Sequence, residues 1–388
     1  MDASTAIKVL LIGFVLLLAY AYAGYSRLLA AAARMRKMPP RDTAYRPMVT
    51  IFVPAYNEER VIEAKIRNCL AQDYPPELIE ILVCSDASTD RTEAIVREFG
   101  ENRVRLLAYT ERSGKTGLIN KSVPGAGGEI VVLTDANTRF APDAVSKLVS
   151  MYSTEQIGAV AGQVKLHVPD KGWGVDKEVT YREFEAGLKY HEGLFGTTVG
   201  AFGGLYSIRK ALFKPLPANA YSNDDFLIPM RILAGGRHVV FDKEAVSSEE
   251  TGKDVAEEFR RRVRIGAGNF QSFFLLPEML NPLRGMAFVC YFSHKVLRWF
   301  SPLMLLSVFV LNLMLVGNPV FDVMLGGQML AYVLAGIGGL YSRRRRRIPV
   351  LTSLYHFVSI NAAIVGGFFV YLKGIKSAAW TSTERGNG

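Results

Sequence analysis

The chain of 388 residues has few of the side chains that build metal centres or disulfide frameworks. Its three cysteines, Cys69, Cys84 and Cys290, are scattered without zinc-motif or disulfide spacing. This excludes a zinc site and favours reduced thiols in a cytosolic domain. His191 and His238 have no partner at ligand spacing, so we assign them roles in the core or on the surface. Internal repeats and low-complexity tails are also missing.

A complete phosphate-binding loop of the Walker type is missing too. The segment Arg112–Gly117 (RSGKTG) resembles one, but it lacks the leading glycine and does not follow the first predicted strand. This excludes a P-loop enzyme. Lys115 nevertheless lies between glycines on a short segment, where its ammonium suits a diphosphate as a point charge.

Acidic residues are fewer than basic ones, 36 against 46, which gives a net charge of +10. The excess lies beside apolar runs, as two groups: Arg27, Arg34, Arg36, Lys37 and Arg41, and the run Arg343–Arg347. Basic residues that flank apolar spans indicate the cytosolic side of a membrane. The pattern therefore favours a multi-pass protein of the cell (inner) membrane with a cytosolic catalytic domain, and it argues against nucleic acid as a partner.

Four apolar runs are long enough to suggest membrane spans: Ala6–Tyr25, Pro302–Val316, Val323–Tyr341 and Pro349–Leu372. The first is read as an uncleaved anchor because its basic cluster follows it. The last contains Gly366 and Gly367, and either spans or re-enters. We divide the chain into an anchor (1–26), a basic cytosolic linker (27–47), an α/β domain (48–252), amphipathic interface helices (253–300), transmembrane helices (301–376) and a tail (377–388).

Strands and helices alternate within residues 48–252, which predicts an α/β fold with a mostly parallel sheet. The predicted strands are Val49–Pro54, Ile79–Ser85, Val104–Ala108 and Glu129–Thr134. The predicted helices are Glu59–Gln72, Thr89–Phe99, with Ser88 as its N-cap, and Gly117–Val123.

Polar residues follow three of these strands, where ligands bind in open α/β sheets. The segment PAYNEE (54–59) follows the first strand and SDASTD (85–90) ends the second. Asp135 and Asn137 follow the fourth, and their two oxygens suit a hard divalent cation, Mg²⁺ or Mn²⁺, that holds a diphosphate.

In this order, PAYNEE, SDASTD, the Gly114-Lys115 pair and the LTDAN step resemble the family 2 glycosyltransferases. The resemblance extends to the membrane-embedded branch that makes poly-N-acetylglucosamine, hyaluronan and cellulose. It implies a GT-A (Rossmann-like) fold, a UDP-sugar donor and inversion at the anomeric carbon. It also implies nucleotide contacts for Ala55, Tyr56, Glu58, Asp86 and Lys115, and metal ligation for Asp135 and Asn137, although the family usually has a second aspartate at the latter position.

The same resemblance supplies the remaining site residues. Asp225, or less favourably Asp224, is the expected catalytic base, and Gly203 and Gly204 are expected beside the acceptor. Arg261 and Arg264 are expected at the diphosphate. Ile265 stands where processive members have a tryptophan that stacks on the acceptor, which argues against long-chain processivity.

These residues predict a membrane-bound inverting glycosyltransferase. It would move a sugar from UDP-N-acetylglucosamine or a related hexose donor to a growing exopolysaccharide, in contact with membrane lipid and with a possible export or assembly partner. One alternative is transfer of a single sugar to a polyprenyl phosphate or another lipid acceptor. A second alternative, without catalysis, is a nucleotide-sugar-binding sensor or assembly subunit.

Overall fold

The computed structural model describes residues 2–100, 103–167, 175–217, 220, 223–250, 255–343 and 348–374. The chain forms two compact units. The α/β unit contains Leu29–Lys253 and Phe274–Cys290, and the helical unit contains Met1–Leu28, Asp254–Phe273 and Tyr291–Gly374. The segments expected as a separate linker (27–47) and as interface helices (253–300) are therefore divided between these units.

Arg41 shows why most of the expected linker belongs to the α/β unit. Its guanidinium donates two hydrogen bonds of 2.8 Å to the carboxylate of Asp242, which is almost fully buried. A bidentate pair of this kind is strong and geometrically specific. The guanidinium of Arg41 is thus engaged within the domain.

One mixed sheet of eight strands forms the centre of the α/β unit. The strands are β1 (Val49–Ala55), β2 (Ile79–Asp86), β3 (Val104–Tyr109), β4 (Ile130–Leu133), β5 (Thr138–Phe140), β6 (Ile157–His167), β7 (Tyr206–Arg209) and β8 (His238–Glu250). Their order is β3-β2-β1-β4-β7-β6-β8-β5. Strands β1 to β4 are mutually parallel, and β7 is antiparallel to both β4 and β6. The carboxyl ends of β1, β2 and β4 therefore meet at one edge, as the sequence predicted.

The α-helices are α1 (Ala3–Ala19), α2 (Tyr25–Ala33), α3 (Ile62–Leu70), α4 (Thr92–Glu98), α5 (Gly114–Ser122), α6 (Ala144–Ser150), α7 (Val175–Gly193), α8 (Asp224–Ala234), α9 (Val255–Leu275), α10 (Met286–Tyr291), α11 (Leu297–Trp299), α12 (Ser301–Leu313), α13 (Pro319–Arg343) and α14 (Pro349–Leu372). Two π-helical segments cover Tyr20–Gly24 and Phe292–Val296. Short 3₁₀ turns cover Pro76–Leu78, Val123–Gly125, Lys210–Leu212, Pro277–Leu280 and Pro282–Arg284.

The four predicted strands are present, and each observed boundary lies within one residue of the predicted one. Every residue of β1 and β4 is buried, and so is every residue of β2 except one, whereas β3 at the edge of the sheet is only partly buried or exposed. Full burial of one such side chain contributes about 1.5–3 kcal/mol. This burial holds the loops at the strand ends on a rigid support.

The helix starts differ from the predicted ones because side chains in the preceding loops bond elsewhere. The predicted N-cap Ser88 is wrong: α4 begins at Thr92, and its first amide donates to Asp90 Oδ1 at 2.9 Å. Helix α3 begins at Ile62 rather than Glu59, whose amide donates to Asp90 Oδ2 at 3.1 Å. Helix α5 begins at Gly114, so Lys115 lies in its first turn.

Three helical stretches of the described chain are long and apolar enough to cross a membrane: Ala3–Ala33, Pro319–Ser342 and Pro349–Leu372. The expected span Pro302–Val316 is only the 13-residue helix α12, about 20 Å long, against a hydrocarbon core of ~30 Å. It could cross only together with Met286–Trp299, to which it is bent by 59°. Residues 344–347 of the arginine run and the tail 377–388 lie outside the described residues.

Helix α14 is continuous through its two glycines. These glycines allow another helix of the same unit to pack closely against it. A β-carbon on Gly367 would lie 2.6 Å from the backbone nitrogen of Ala267 on α9. Small residues permit this close approach of helix backbones. The two glycines therefore do not break the helix into a re-entrant segment.

Candidate active site

The loops that follow β1 and β2 are cross-linked by reciprocal hydrogen bonds. Asn57 and Ala87 both have left-handed backbone, with φ of 54° and 58°. Asn57 Oδ1 accepts from the amide of Thr89 at 2.8 Å, and the amide of Asn57 donates to Ser88 Oγ at 3.2 Å. Left-handed backbone is costly for a residue with a β-carbon and is retained where the surroundings fix it, often at functional sites.

Three predicted nucleotide-binding residues lie in and beside these loops. Ala55 ends β1 with its side chain buried, whereas Tyr56 and Glu58 are partly exposed. The amide of Glu58 donates to Thr92 Oγ1 at 2.8 Å. Arg112, which sequence reasoning did not select, lies over the Tyr56 ring with Cζ 3.4 Å from the centroid. A planar cation on an aromatic face is a stable arrangement and offers a flat surface at this edge.

Asp86 is fully buried at the end of β2 and binds the loop that precedes α5. Its Oδ1 accepts from the amide of Ser113 at 2.7 Å, and its Oδ2 accepts from the amide of Gly114 at 3.0 Å. Arg112 Nε lies 3.5 Å from the same carboxylate. The structure therefore places Asp86 beneath the predicted nucleotide loop and engages both of its oxygens with that loop.

Lys115 joins two of the predicted acidic residues. Its Nζ lies 2.8 Å from Asp135 Oδ1 and 3.2 Å from Asp224 Oδ2. Burial lowers the pKa of Lys115, but the charges of Asp135, Asp224 and Asp225 outweigh burial and raise this pKa above its ordinary value. The lysine therefore remains a cation. The sequence separates these residues by up to 110 positions, and the fold brings them together as predicted.

Asp224 and Asp225 begin helix α8, and the two carboxylates have different surroundings. Asp224 is 3% exposed, and its Oδ2 accepts from the hydroxyl of Tyr206 at 3.0 Å. Asp225 is partly exposed. The amide of Ala201 donates to the backbone oxygen of Asp225 at 2.7 Å, which fixes the start of α8 to the loop that carries Gly203.

The pKa of Asp225 is raised to about 6. Burial is the largest cause, and the neighbouring negative charge of Asp224 adds to it. Lys115 and Lys189 lower this pKa, and Asp135 raises it. A carboxyl group with a pKa near 6 is ionised at pH 7 and is still a usable proton acceptor, which is the property of a general base.

Gly203 faces these charged groups, whereas Gly204 does not. A β-carbon on Gly203 would lie 3.3 Å from Asp225 Oδ2, 3.4 Å from Asp135 Oδ2 and 3.6 Å from Lys115 Nζ. A β-carbon on Gly204 would lie 2.9 Å from the Thr138 side chain, inside the protein. The two predicted acceptor residues are thus separated into one that borders the charged cluster and one that packs beneath it.

The turn after β4 holds the predicted metal ligands. Asp135 and Asn137 are both partly exposed, and between them they offer carboxylate and amide oxygens, which suit Mg²⁺ or Mn²⁺. The part of the chain that the structure describes contains no group of three histidine, cysteine or acidic residues able to hold a metal. A divalent cation would therefore need further oxygens from a bound diphosphate.

Arg261 and Arg264 lie on α9, within the part of this helix that belongs to the helical unit. Both are partly buried, and Ile265 beside them is 37% exposed. Their assignment to the diphosphate remains a prediction from the resemblance.

Comparison with known proteins agrees with the fold and with the motifs. Residues 50–214 match the family model described as glycosyl transferase family 2. A β-monoglucosyldiacylglycerol synthase of Nostoc sp. (strain PCC 7120) is 32% identical over 33% of this chain and 28% of its own length. A poly-β-1,6-N-acetyl-D-glucosamine synthase of Staphylococcus epidermidis is 23% identical over 42% of this chain and 39% of its own length. The chain thus matches less than half the length of either relative.

A solved structure resembles most of the chain. The mannosyltransferase PcManGT of Pyrobaculum calidifontis, in complex with GDP-Man and Mn²⁺, superposes with a TM-score of 0.69. The alignment covers 94% of this chain and 99% of that one, at 24% identity, and it shows a shared fold. The match over residues 50–214 and the ordered motifs at one edge of the sheet show that this chain contains a glycosyl transferase family 2 domain, and the superposition shows that this domain has the GT-A fold.

Proposed function

We propose that this chain is a membrane-bound inverting transferase that moves one sugar from a nucleotide-diphosphate sugar to the hydroxyl of a membrane-associated acceptor. The observation that carries the proposal is the convergence of Asp225, Asp135 and Lys115 on the space beside Gly203. The proposed base Asp225, the proposed metal ligand Asp135 and the cation Lys115 border one space. This space lies at the carboxyl ends of the strands, where α/β folds bind ligands.

The chemistry is a single displacement. The acceptor oxygen attacks the anomeric carbon, and Asp225 takes the hydroxyl proton as the new C–O bond forms. The bond from the anomeric carbon to the phosphate oxygen breaks, and its electron pair leaves with the nucleoside diphosphate. One base is sufficient because no covalent intermediate forms.

The leaving group gains negative charge, which fixed positive groups stabilise. Lys115 is held as a cation at the site, and Arg261 and Arg264 are the further candidates for diphosphate contacts. Asp135 and Asn137 would hold a Mg²⁺ or Mn²⁺ ion. When bound, such an ion supplies Lewis-acid stabilisation to the diphosphate.

The base of the donor nucleotide would lie at the edge formed by Tyr56 and Arg112, with Ala55 and Glu58 alongside. Asp86 would act mainly by shaping the loop, since both of its oxygens already accept from that loop. UDP is the first choice because the motifs resemble those of enzymes that use UDP-sugars. GDP is the second, because the structural neighbour was solved with GDP-Man.

A lipid acceptor is favoured over a growing polysaccharide. Ile265 cannot stack on a sugar ring as an indole does. Only three helices of the described chain are long and apolar enough to span singly, which is few for a polymer channel. The Nostoc relative is named for a glucosyl lipid, whereas the Staphylococcus relative is named for a polysaccharide, so polymer extension remains the second candidate.

The test uses the full chain in lipid nanodiscs with Mn²⁺. Radiolabelled UDP-N-acetylglucosamine, UDP-glucose, UDP-glucuronate and GDP-mannose are supplied separately, with and without added polyprenyl phosphate or diacylglycerol. We expect one short, lipid-extractable product that forms only with an added lipid that carries a hydroxyl, here diacylglycerol. A product with polyprenyl phosphate alone would show transfer to a phosphate oxygen, which contradicts the role of Asp225 as base. A ladder of long products without added lipid would establish polymer extension instead. Nucleotide binding without any product would contradict the proposed transfer.

A further inference from the structure

Lys65 on α3 is a buried lysine that the proposed chemistry does not use. It is 2% exposed, and its Nζ donates to Thr134 Oγ1 at 2.9 Å and to the backbone oxygen and Oγ1 of Thr138 at 3.0 Å each. Burying an ammonium is unfavourable unless its hydrogens are bonded. An ammonium has three donors, and these three oxygens match them. The two threonines flank the turn that carries Asp135 and Asn137.

The hydroxyls of Thr134 and Thr138 connect Lys65 to the backbone of the site. Because an ammonium only donates, both hydroxyls accept from Lys65, and each has one hydrogen left to donate. Thr134 Oγ1 lies 2.8 Å from the backbone oxygen of Gly204, and Thr138 Oγ1 lies 2.9 Å from that of Asp135. One buried cation therefore orients hydrogen bonds to the metal-ligand turn and to the glycine pair beside the acceptor space.

The rest of α3 supports the same segment. Asn68, one turn after Lys65, exchanges two hydrogen bonds with the backbone of Phe140, at 3.0 and 2.7 Å. Gln72, just after the helix, accepts from the amide of Val145 at 3.3 Å. The Lys65 ammonium also lies 3.9 Å from the centroid of the Phe140 ring. Among these contacts, those of the Lys65 ammonium are the ones made by a charged group, and they lie at the turn that carries Asp135 and Asn137.

We propose that Lys65 is a positioning residue that fixes Asp135 and Gly203-Gly204 relative to each other, so that donor and acceptor sides of the site keep their spacing. The inference rests on the proposed function, because it assumes that metal and diphosphate bind at Asp135. Lys65 would support the site from α3 without contacting the substrate.

The charge of Lys65 persists in this environment. Burial lowers its pKa to about 8, and the negative charge of Asp135 acts in the opposite direction. At pH 7 the ammonium therefore stays protonated and keeps both hydroxyls as acceptors. A neutral side chain of equal length would leave the hydroxyls free to reorient towards each other, since their oxygens are 2.7 Å apart.

The test compares Lys65→Met with Lys121→Met, in which the replaced lysine is exposed on α5. Free Mn²⁺ is measured by electron paramagnetic resonance during titration of the full chain in nanodiscs with Mn²⁺ plus UDP, and separately with Mn²⁺ plus GDP. We expect Lys65→Met to weaken binding of the metal–nucleotide complex about tenfold or more, as loss of an outer support to a metal site does. Lys121→Met should bind as the wild type does.

Activity provides a second readout that simple destabilisation would not produce. In Lys65→Met, the KM for the acceptor should rise together with the loss of Mn²⁺ affinity, because the same ammonium supports Gly204. A folded Lys65→Met protein, shown by an unchanged melting curve, that binds within twofold of the wild type would overturn the inference. So would weaker metal binding with an unchanged acceptor KM.

If Lys65→Met does not fold, Thr138→Val decides, because it removes one acceptor and retains the lysine. Binding of metal and nucleotide within twofold of the wild type would then overturn the inference, and a loss of threefold or more at an unchanged melting temperature would support it. A wild-type protein that binds neither metal–nucleotide complex would contradict the proposed function itself.

Discussion

At the scale of single residues, the two acidic residues at the start of α8 have different roles. Asp224 is buried against Tyr206 and paired with Lys115, so it serves to hold the cation in place. Asp225 remains partly exposed and borders the space beside Gly203. The sequence could name both as candidates for the base, and only their surroundings distinguish them.

The raised pKa of Asp225 predicts an acid limb in the pH–rate profile. Below about pH 6 the carboxyl group is protonated and cannot accept the acceptor's proton, so kcat/KM should rise about tenfold per pH unit up to that point and then level off. Asp224→Asn removes a charge that raises this pKa, so its limb should move to lower pH. A flat profile between pH 5 and 8, or a limb that moves upward in Asp224→Asn, would contradict the assignment.

Some site residues could be predicted from the sequence, and others could not. Asp135, Lys115 and Asp225 follow buried strands or begin helices within recognisable motifs, so their convergence was predictable. Lys65 lies on a short amphipathic helix, where a lysine ordinarily indicates a solvated face, and only the tertiary structure shows the threonine oxygens around it. Arg112 could not be predicted for a similar reason, because only the tertiary structure brings its guanidinium over the ring of Tyr56.

At the scale of elements, the site depends on turns whose side chains compete with the helices that follow. Asp90 accepts hydrogen bonds from the amides of Glu59 and Thr92, at the observed starts of the segments that lead into α3 and α4. The bond to Glu59 joins two loops, so the local sequence does not predict it. The strands were predictable because short runs of apolar residues are typical of strands that lie within a sheet. The helix starts were not, since they depend on contacts between segments about 30 residues apart.

The loop that contains Gly203 offers a direct test at this scale. In Gly203→Ala the new methyl group would occupy space beside Asp225 and Asp135 without a severe clash, because its nearest neighbours are 3.3 Å or more away. We expect normal folding and a loss of kcat/KM of about 10- to 100-fold, because small displacements of reacting groups cost that much.

Gly125→Ala is the matched control, since a β-carbon there would meet no atom within 4 Å. It should retain the wild-type rate. Equal activity of Gly203→Ala and the control would show that the space beside Gly203 does not receive substrate.

At the scale of the whole molecule, the chain combines a catalytic unit with a helical unit that includes three possible membrane spans. Hydropathy alone predicted a separate span at Pro302–Val316, but it cannot reveal a short helix bent by 59° from its predecessor. The proposed placement of this unit in a membrane would account for the apolar side chains that it exposes, such as Leu303, Val323 and Val350. In the proposed function, a lipid-borne acceptor would lie in the same membrane as the enzyme.

The central claim, that the chain transfers sugar with Asp225 as base, is tested most directly by Asp225→Asn in the full-length protein. Nucleotide binding by calorimetry and product formation with the best donor are measured side by side with the wild type. The account predicts that Asp225→Asn binds the nucleoside diphosphate within about threefold of the wild type and loses at least ~100-fold in transfer. Transfer at the wild-type rate would contradict the account, and so would nucleotide binding by a wild-type protein that forms no product, which is the behaviour of a sensor.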